Sequence, residues 1–373
     1  MKILYIVNEP WFFLSHRLPI ALAAREKGYE VHVATKAGNT VKEITNIGFI
    51  HHEISLSRSG SSLLGELTSL FSIWKLLIHV KPDVLHLVTI KPVLYGGIAS
   101  QFTPVRKVVA AVSGLGTLFL AKGTKAEYKR KVGKCLYRFA LRSKKTTVIF
   151  QNPDDRQLLV ELKAVIPKQT VIIRGSGIDL SDFYFSAEKL SSKPVVTFAA
   201  RLLFDKGLAE YVDAIKLLNS KGLEASYQIV GDLDLGNATS ASDEDIEQWK
   251  TIANLTILPY QRDVGAVFRD SNIVVLPSYR EGLPKVLIEA AACGRAVITT
   301  DVPGCRDAIE SNKTGLLVAA KNSVKLANAI EKLVTEPDLR VRMGTAGRQL
   351  AEEAFSIEQV IEKHIAIYQK IDY

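Results

Sequence analysis

Leu276-Pro277-Ser278-Tyr279-Arg280-Glu281-Gly282-Leu283-Pro284-Lys285-Val286-Leu287-Ile288-Glu289-Ala290 decides how this chain is read. An apolar, β-branched run over 273–276 stops at Pro277, a polar turn presents Glu281 and Gly282, and an apolar run of helical period follows. Strand, turn and helix in that order form half of a βαβ unit, the repeat from which parallel sheets are built. Pro284 is expected at the first helical position, where its missing N–H would be unpaired anyway. The free amides and positive end of such a helix suit a phosphate group, and Gly282 lets backbone come close to a ligand. Glu281 precedes the helix and Glu289 lies in its second turn, so both carboxylates can face one side. From spacing alone they read equally well as a helix-start acid and a solvated helix acid.

The same alternation extends in both directions. Strands are expected at 195–199, 227–230, 255–258, 273–276 and 296–299, with helices at 264–269 behind an Asp263 cap, 284–293, 324–334 and 337–354. Upstream, strands are expected at 3–7, 30–35, 84–88, 108–112, 147–151 and 170–173, with a helix at 19–27 stopped by Gly28. The expected fold is α/β: two Rossmann-like, doubly wound domains at 1–178 and 193–355, joined by a connector. A closing helical stretch from 357 is open to packing back on the first domain. Open α/β sheets bind ligands at the carboxyl ends of their strands, so two such sheets facing each other would share one cleft.

Composition agrees. A length of 373 residues fits two domains at roughly 100–200 residues each. With 47% hydrophobic and 23% charged residues, each domain can bury a core. Cys135, Cys293 and Cys305 are odd in number and lack ligand spacing, which argues for a reducing compartment and against a zinc site. Asn8-Glu9-Pro10 and His16-Arg17 interrupt the apolar N-terminus, and no uninterrupted apolar run of ~18 residues occurs anywhere. The expectation is a protein that does not span a membrane. Net charge is +9, unevenly spread: 58–145 carries 16 Lys/Arg against three acids, a balance of +13 that leaves −4 elsewhere. Its densest part, 122–145, interleaves ten basic residues with Tyr128, Leu136, Tyr137, Phe139 and Leu141. That pattern favours an anionic membrane surface, with a solvated helix face as the alternative and nucleic acid least favoured.

A second constellation follows the strand at 195–199: Ala200-Arg201-Leu202-Leu203-Phe204-Asp205-Lys206-Gly207. A guanidinium grips a diphosphate bidentately and an ammonium adds a point charge. Arg201 and Lys206 stand where a doubly wound domain takes its anion. Taken together with Val230-Gly231-Asp232 and the Glu281/Glu289 pair, these residues resemble, in order and spacing, the retaining glycosyltransferases of family 4, which have the GT-B fold. The similarity runs over essentially the whole chain. Trp11-Phe12-Phe13-Leu14-Ser15-His16-Arg17-Leu18-Pro19, Thr89-Ile90-Lys91-Pro92 and Gly231-Asp232-Leu233-Asp234 look like the bacterial branch that adds an N-acetylhexosamine to a polyprenyl-diphosphate-linked sugar.

The resemblance implies a UDP-sugar donor and a lipid-linked saccharide acceptor, with no cofactor and no metal. Arg201 and Lys206 would hold the donor diphosphate and Glu281 the donor-sugar hydroxyls. The amides after Gly282, from Leu283 on, would meet phosphate, and Glu289 the ribose. The base would lie against Gly231, Asp232, Tyr260 and Arg262. The chain departs from the family in two places. The loop after the first strand reads Asn8-Glu9-Pro10-Trp11-Phe12 in place of a glycine pair. Ser113-Gly114-Leu115-Gly116 stands where many members have a histidine. The candidates for contact with the reacting centre are therefore His16, Arg17, Lys91, Ser113 and Gly114. A dehydrogenase is disfavoured because no G-x-G-x-x-G follows the first strand. The remaining rivals are an epimerase or hydrolase of the same fold and a non-catalytic sugar-nucleotide-binding subunit.

Overall fold

The computed structural model describes residues 1–56, 63–115, 124–189 and 192–370. Arg58, Gly116 and Lys122 lie outside the described residues, as do the side chains of Lys125, Tyr128 and Lys129. The chain divides into two compact units, one comprising Met1–Ser176 and Ile357–Tyr373, the other Gly177–Ser356.

Unit 1 contains strands β1 (Lys2–Ile6), β2 (Glu30–Thr35), β3 (Ile50–Glu53), β4 (Val84–Val88), β5 (Lys107–Val112), β6 (Thr146–Phe150) and β7 (Thr170–Ile172). They form one sheet in the order β3-β2-β1-β4-β5-β6-β7, and every pair is parallel. Its helices are α1 (Pro10–His16), α2 (Leu18–Glu26), α3 (Val41–Asn46), α4 (Leu63–Val80), α5 (Ile90–Ser100), α6 (Thr124–Leu141) and α7 (Pro153–Glu161). Helices α4, α5 and α6 share one core with Leu4, Leu87, Val108 and Phe150 on one face of the sheet. α5 meets α6 where a Cβ on Gly97 would come within 2.7 Å of the Ala140 carbonyl oxygen, so only glycine permits that approach.

Unit 2 repeats the plan with β8 (Val195–Ala199), β9 (Ser226–Val230), β10 (Leu255–Leu258), β11 (Ile273–Leu276), β12 (Ala296–Thr300) and β13 (Gly315–Val318), in the parallel order β10-β9-β8-β11-β12-β13. Its helices are α8 (Leu208–Ser220), α9 (Asp243–Lys250), α10 (Val264–Asp270), α11 (Lys285–Ala292), α12 (Ser323–Thr335) and α13 (Pro337–Ala354). Strands β8, β11 and β12 are almost continuously apolar, as expected where helices cover both faces of a parallel sheet. Both sheets reverse strand order at one place, between β1 and β4 in unit 1 and between β8 and β11 in unit 2. Such a reversal opens a crevice at the strands' carboxyl ends.

After unit 2 the chain returns to unit 1 as α14 (Ile357–Gln369). Its Val360, Ile365, Ile367 and Tyr368 join Tyr5, Phe13, Ile20 and Tyr29 in the core on the other face of the first sheet. Burying Val360, Ile365 and Ile367 contributes about 1.5–3 kcal/mol each relative to exposure.

The structure differs from the sequence reading in detail. β3 and β13 were not expected: β3 reads Ile-His-His-Glu at a sheet edge, without an apolar alternation, and β13 is only four residues long. Residues after β1 that read as loop form α1, which begins at Pro10. Pro284 is the N-cap of α11, extended at φ −74° and ψ 118°, and the helix starts at Lys285. Asp263 does cap α10, accepting from the Ala266 N–H at 2.9 Å.

Candidate active site

In unit 2 the carboxyl ends of β8 and β11 bring the two sequence constellations together. Beyond β8 a single 3-10 turn, Phe204–Lys206, ends on Gly207 at φ 78°. A Cβ there would sit 2.2 Å from the Pro277 carbonyl oxygen, so glycine is required for the turn to close against β11's end. Tyr279 N–H seals the contact, donating to the Asp205 carbonyl at 3.0 Å. The result is a direct ion pair between Lys206 Nζ and Glu281 Oε1. Ser278 Oγ donates to the same carboxylate oxygen at 2.7 Å. Both partners of the pair are largely buried, with side-chain exposures of 21% and 13%.

The turn carrying Glu281 is clamped from behind. Glu281 N–H donates to the Pro303 carbonyl at 3.2 Å, and Gly304, at φ 81°, lies where a Cβ would meet the Glu281 carbonyl oxygen at 2.3 Å. Cys305 is buried in the same turn. Burial, with a smaller contribution from Glu281, pushes its thiol up to about 12, so it is neutral and no nucleophile.

The other donor-side candidates surround this pair. Gly231, at φ 148°, approaches Ala200 so closely that a Cβ would lie 1.9 Å from its carbonyl oxygen. That contact joins the loop after β9 to the loop after β8. Arg201 pairs across them with Asp234 at 2.5 Å, while Asp232 Oδ1 accepts from the Tyr260 N–H at 2.9 Å. The Tyr260 ring is 67% exposed. Glu289 lies in α11 with Lys285 at 3.3 Å. Burial raises its carboxyl above the ordinary range, and Lys285 offsets part of that rise. Gly282, Leu283 and Arg262 lie on the same loops. Ser278 carried no signal of a role in the sequence, because one serine near a strand end is commonplace, and Asp234 stood out only as part of Gly231-Asp232-Leu233-Asp234.

Unit 1 scatters its candidates. His16 ends α1, stacked on Phe12 at 4.0 Å between ring centroids and 2.6 Å from Ser15 Oγ. Lys91, in the first turn of α5, binds Glu66 at 2.9 Å. Ser113 and Gly114 follow β5, with Gly114 at φ 122°. Arg17 is buried, only 2% exposed, among Tyr5, His86 and Tyr368, and its guanidinium's one hydrogen-bonded partner among the described residues is the His16 carbonyl at 2.8 Å. Burial brings its guanidinium down to about 10. Beside it Tyr368 hydroxyl and His86 Nδ1 are 2.5 Å apart, and His86 stacks on His364. Burial keeps His364 neutral, holding it down to about 3. Among the described residues no group of three or more His, Cys, Asp or Glu is placed to hold a metal ion.

Two family models match the chain, one described as "Glycosyl transferase 4-like" over residues 2–152, the other as "Glycosyl transferases group 1" over residues 182–350. The chain is a glycosyltransferase. One curated relative of this glycosyltransferase is the N,N'-diacetylbacillosaminyl-diphospho-undecaprenol alpha-1,3-N-acetylgalactosaminyltransferase of Campylobacter jejuni. It is 26% identical, over 96% of this chain and 98% of that protein. The capsular polysaccharide biosynthesis glycosyltransferase CapM of Staphylococcus aureus is 28% identical over 92% and 90%. The Anabaena protein HepE, solved in complex with UDP, superposes with a TM-score of 0.77 at 17% identity, covering 98% of this chain and 99% of that one. The two parallel sheets of this glycosyltransferase are those of the GT-B fold.

The basic helix needs one correction. Tyr137 and Leu141 of α6, read from the sequence as part of an apolar membrane-facing set, are buried in the core of unit 1, and Leu136 is half-buried. Among the described side chains of α6, the exposed large apolar residues are Val132 and Phe139. No helix among the described residues is long and apolar enough to cross a membrane.

Proposed function

We propose that this glycosyltransferase moves an N-acetylhexosamine, N-acetylgalactosamine or N-acetylglucosamine, from a UDP-sugar to a polyprenyl-diphosphate-linked saccharide, with retention of configuration. The product belongs to surface polysaccharide or glycan assembly. The observation that carries the reading is the Lys206–Glu281 pair, braced by Ser278 and set before the N-terminus of α11 at unit 2's strand-order reversal. The relatives' names support the acceptor class, and the UDP complex of a protein of the same fold supports the nucleotide.

In this proposal the bond from the sugar's anomeric carbon to the diphosphate oxygen breaks, and the acceptor hydroxyl oxygen takes that carbon from the same face. The hydroxyl proton passes to the departing diphosphate. Charge develops on that diphosphate, and Lys206, Arg201 and the first amides of α11 are positive groups that stabilise it. Arg201, whose guanidinium is 43% exposed, exchanges Asp234 for the diphosphate to do so. Glu281 orients donor-sugar hydroxyls, and its pairing with Lys206 keeps it aimed. Glu289 takes the ribose, and the base lies along Gly231, Asp232 and the Tyr260 ring.

The reading also puts the enzyme's work on the inner face of the cell membrane, where a polyprenyl acceptor resides. Two neighbours of α5 support it. α6 exposes Lys131 and Arg138, and Arg142 is exposed directly after it. α4 exposes Leu64, Leu67, Phe71, Trp74 and Ile78, spaced by three and four residues, so they form one stripe opposite the buried Ile73 and Leu77. A 3-4 stripe is also the seam of a coiled coil, but a second copy would bring an equally basic surface against this one. Anionic lipid attracts each basic residue by about 1 kcal/mol and accepts the apolar stripe at its interface.

The test of the chemistry is UDP release from UDP-N-acetylgalactosamine and UDP-N-acetylglucosamine, with and without a polyprenyl-diphosphate-linked saccharide. Transfer requires release that depends on the acceptor. Release without it makes the protein a hydrolase, and no release despite tight binding makes it a binding subunit. Flotation with vesicles tests the location. Wild type should float with anionic but not neutral vesicles, and both Lys131/Arg138/Arg142→Ser and Leu67/Phe71/Trp74→Ser should float less. Equal flotation of all three proteins, or concentration-dependent dimers lost in the α4 variant, defeats it.

A further inference from the structure

Tyr279 stands in the turn that carries Glu281, but its side chain reaches α8 rather than the Lys206–Glu281 pair. Its hydroxyl donates to Glu210 Oε1 at 2.6 Å. Glu210 is in the first turn of α8, the helix that begins directly after Lys206-Gly207. The bond therefore joins the same two segments that meet in the ion pair, and it does so outside the pair itself.

Both ends of this bond are held. Lys321, in the segment after β13, sets its ammonium 4.6 Å from the centre of the Tyr279 ring, a contact that restrains an aromatic face. Burial, and then the Glu210 carboxyl, raise the phenol above its ordinary value, so at neutral pH it is a donor. Glu210 Oε2 is shielded from solvent without a hydrogen-bond partner among the described residues. Tyr279 is thus what fixes this side chain.

The place of the bond matters more than its strength. Backbone closes the turn without it: Gly207 packs against Pro277, and the Asp205 carbonyl accepts from the Tyr279 N–H at 3.0 Å and from Ser278 Oγ at 3.1 Å. These contacts pair 205 with 279 and 207 with 277, in reverse order, so they lie along one line about which the two segments can rock. Rocking would change the distance from Lys206 Nζ to Glu281 without breaking any of them. The Glu210 contact lies off that line, about 4.5 Å further along α8 at ~1.5 Å per residue. A contact off the axis stops the rocking.

We propose that Tyr279 and Glu210 are positioning residues for sugar transfer, their bond setting the spacing of Lys206 and Glu281. The role rests on the donor-binding reading of that pair, and neither residue touches substrate itself. A misplacement of about 1 Å costs up to ~10² in rate, so a brace against a soft rocking motion should carry about a tenfold effect.

Tyr279→Phe removes the hydroxyl and keeps the ring. It should lower kcat/KM for the UDP-sugar about tenfold yet melt only about 2–4 °C lower, since one hydrogen bond is lost. Glu210→Leu should match it, and Glu210→Gln should keep most of the activity, because its amide oxygen still accepts. Tyr279→Phe/Glu210→Leu should be no worse than either single variant. The deciding background is Lys206→Ala. There a brace that works through the pair has nothing left to position, so Tyr279→Phe should cost no further activity. A bond that only supports the fold would cost the same tenfold again. That outcome, or wild-type kcat/KM in Tyr279→Phe, overturns the proposal. Equilibrium titration of UDP reads the same coupling without turnover: Tyr279→Phe should weaken binding about threefold on its own and not at all beside Lys206→Ala. Coupling in a protein that transfers no sugar would uphold the brace while overturning the transfer, and a protein that neither transfers nor binds UDP overturns both.

Discussion

The carboxyl edges at the two strand-order reversals are topological equivalents with opposite electrostatic finish. In unit 2 the polar side chains have partners inside the protein: Lys206 with Glu281, Ser278 with Glu281, Arg201 with Asp234, Asp232 with the Tyr260 amide. In unit 1 the oxygens of Asn8, Thr89 and Ser113 are buried without a hydrogen-bond partner among the described residues. An unpaired buried polar group costs about 1–3 kcal/mol, and the strain at Thr89, whose backbone sits at φ 74°, adds a further ~1–3 kcal/mol. The solution in unit 2 fits its proposed ligand. A diphosphate brings full charges, and fixed counter-charges must be held apart and aimed before it arrives.

The comparison breaks most readily at Lys206. Lys206→Ala should lower kcat by ~10²–10³ with the fold intact, because it removes a fixed charge from the leaving diphosphate. Near-wild-type turnover would make the pair a structural bridge and erase the contrast between the edges. Glu281→Gln belongs to the same class of effect, measured by the same assay.

A smaller effect is expected at Ser278, which touches Glu281 rather than substrate and so acts as a positioning residue. Ser278→Ala should cost about tenfold in kcat with donor KM little changed, and Ser278→Thr should restore most of it. Loss in donor KM alone would mean that Ser278 meets the donor itself.

Glu289 tests stability against function on the satisfied edge. Burial raises its carboxyl, so the folded state favours the protonated form. Stability from this group is present at low pH and falls as pH rises through its raised value. Glu289→Gln should therefore melt slightly higher than wild type at neutral pH, with the gap closing as pH drops toward the ordinary carboxylate range near ~4. Donor KM should rise in the same variant. A lower melting temperature at neutral pH would show that the Lys285 pair outweighs burial.

The smallest effect is none at all. With positive charge supplied by Lys206, Arg201 and the end of α11, turnover should survive excess chelator. Activity lost to chelator and regained with Mg²⁺ or Mn²⁺ would show that unit 2's edge is not self-sufficient.

How much of this could be read beforehand depended on how far each contact reaches. The doubly wound pattern was legible because buried parallel strands are nearly continuous apolar runs, and Val195–Ala199 and Ile273–Leu276 advertise themselves. β3 did not, because at a sheet edge His51 and His52 form ladder pairs without an apolar face to mark them. Lys206 and Glu281 were each legible as motif residues. Their contact was not, since it depends on a glycine turn closing against β11. Arg17 read as a candidate for contact with the reacting centre and as a break in the apolar N-terminus. Its burial follows from the arrival of Tyr368 more than 300 residues later, a contact that local pattern does not carry. Tyr137 and Leu141 misled for a related reason: in a helix rich in lysine and arginine, only packing shows which residues face inward.

The return of α14 to unit 1 has a consequence for how the protein is made. On the ribosome, β1 to β7 emerge first, but the face that carries Tyr5, Ile20 and Tyr29 is not covered until α14 has been synthesised. All of Gly177–Ser356 lies between. At about 5–20 residues per second that interval is roughly 10–40 s. Unit 2 is one unbroken segment and can finish first, so the nascent chain matures out of order. For those seconds an apolar sheet face is open to chaperones, and a stall or premature stop just before Ile357 would release a chain with that face bare.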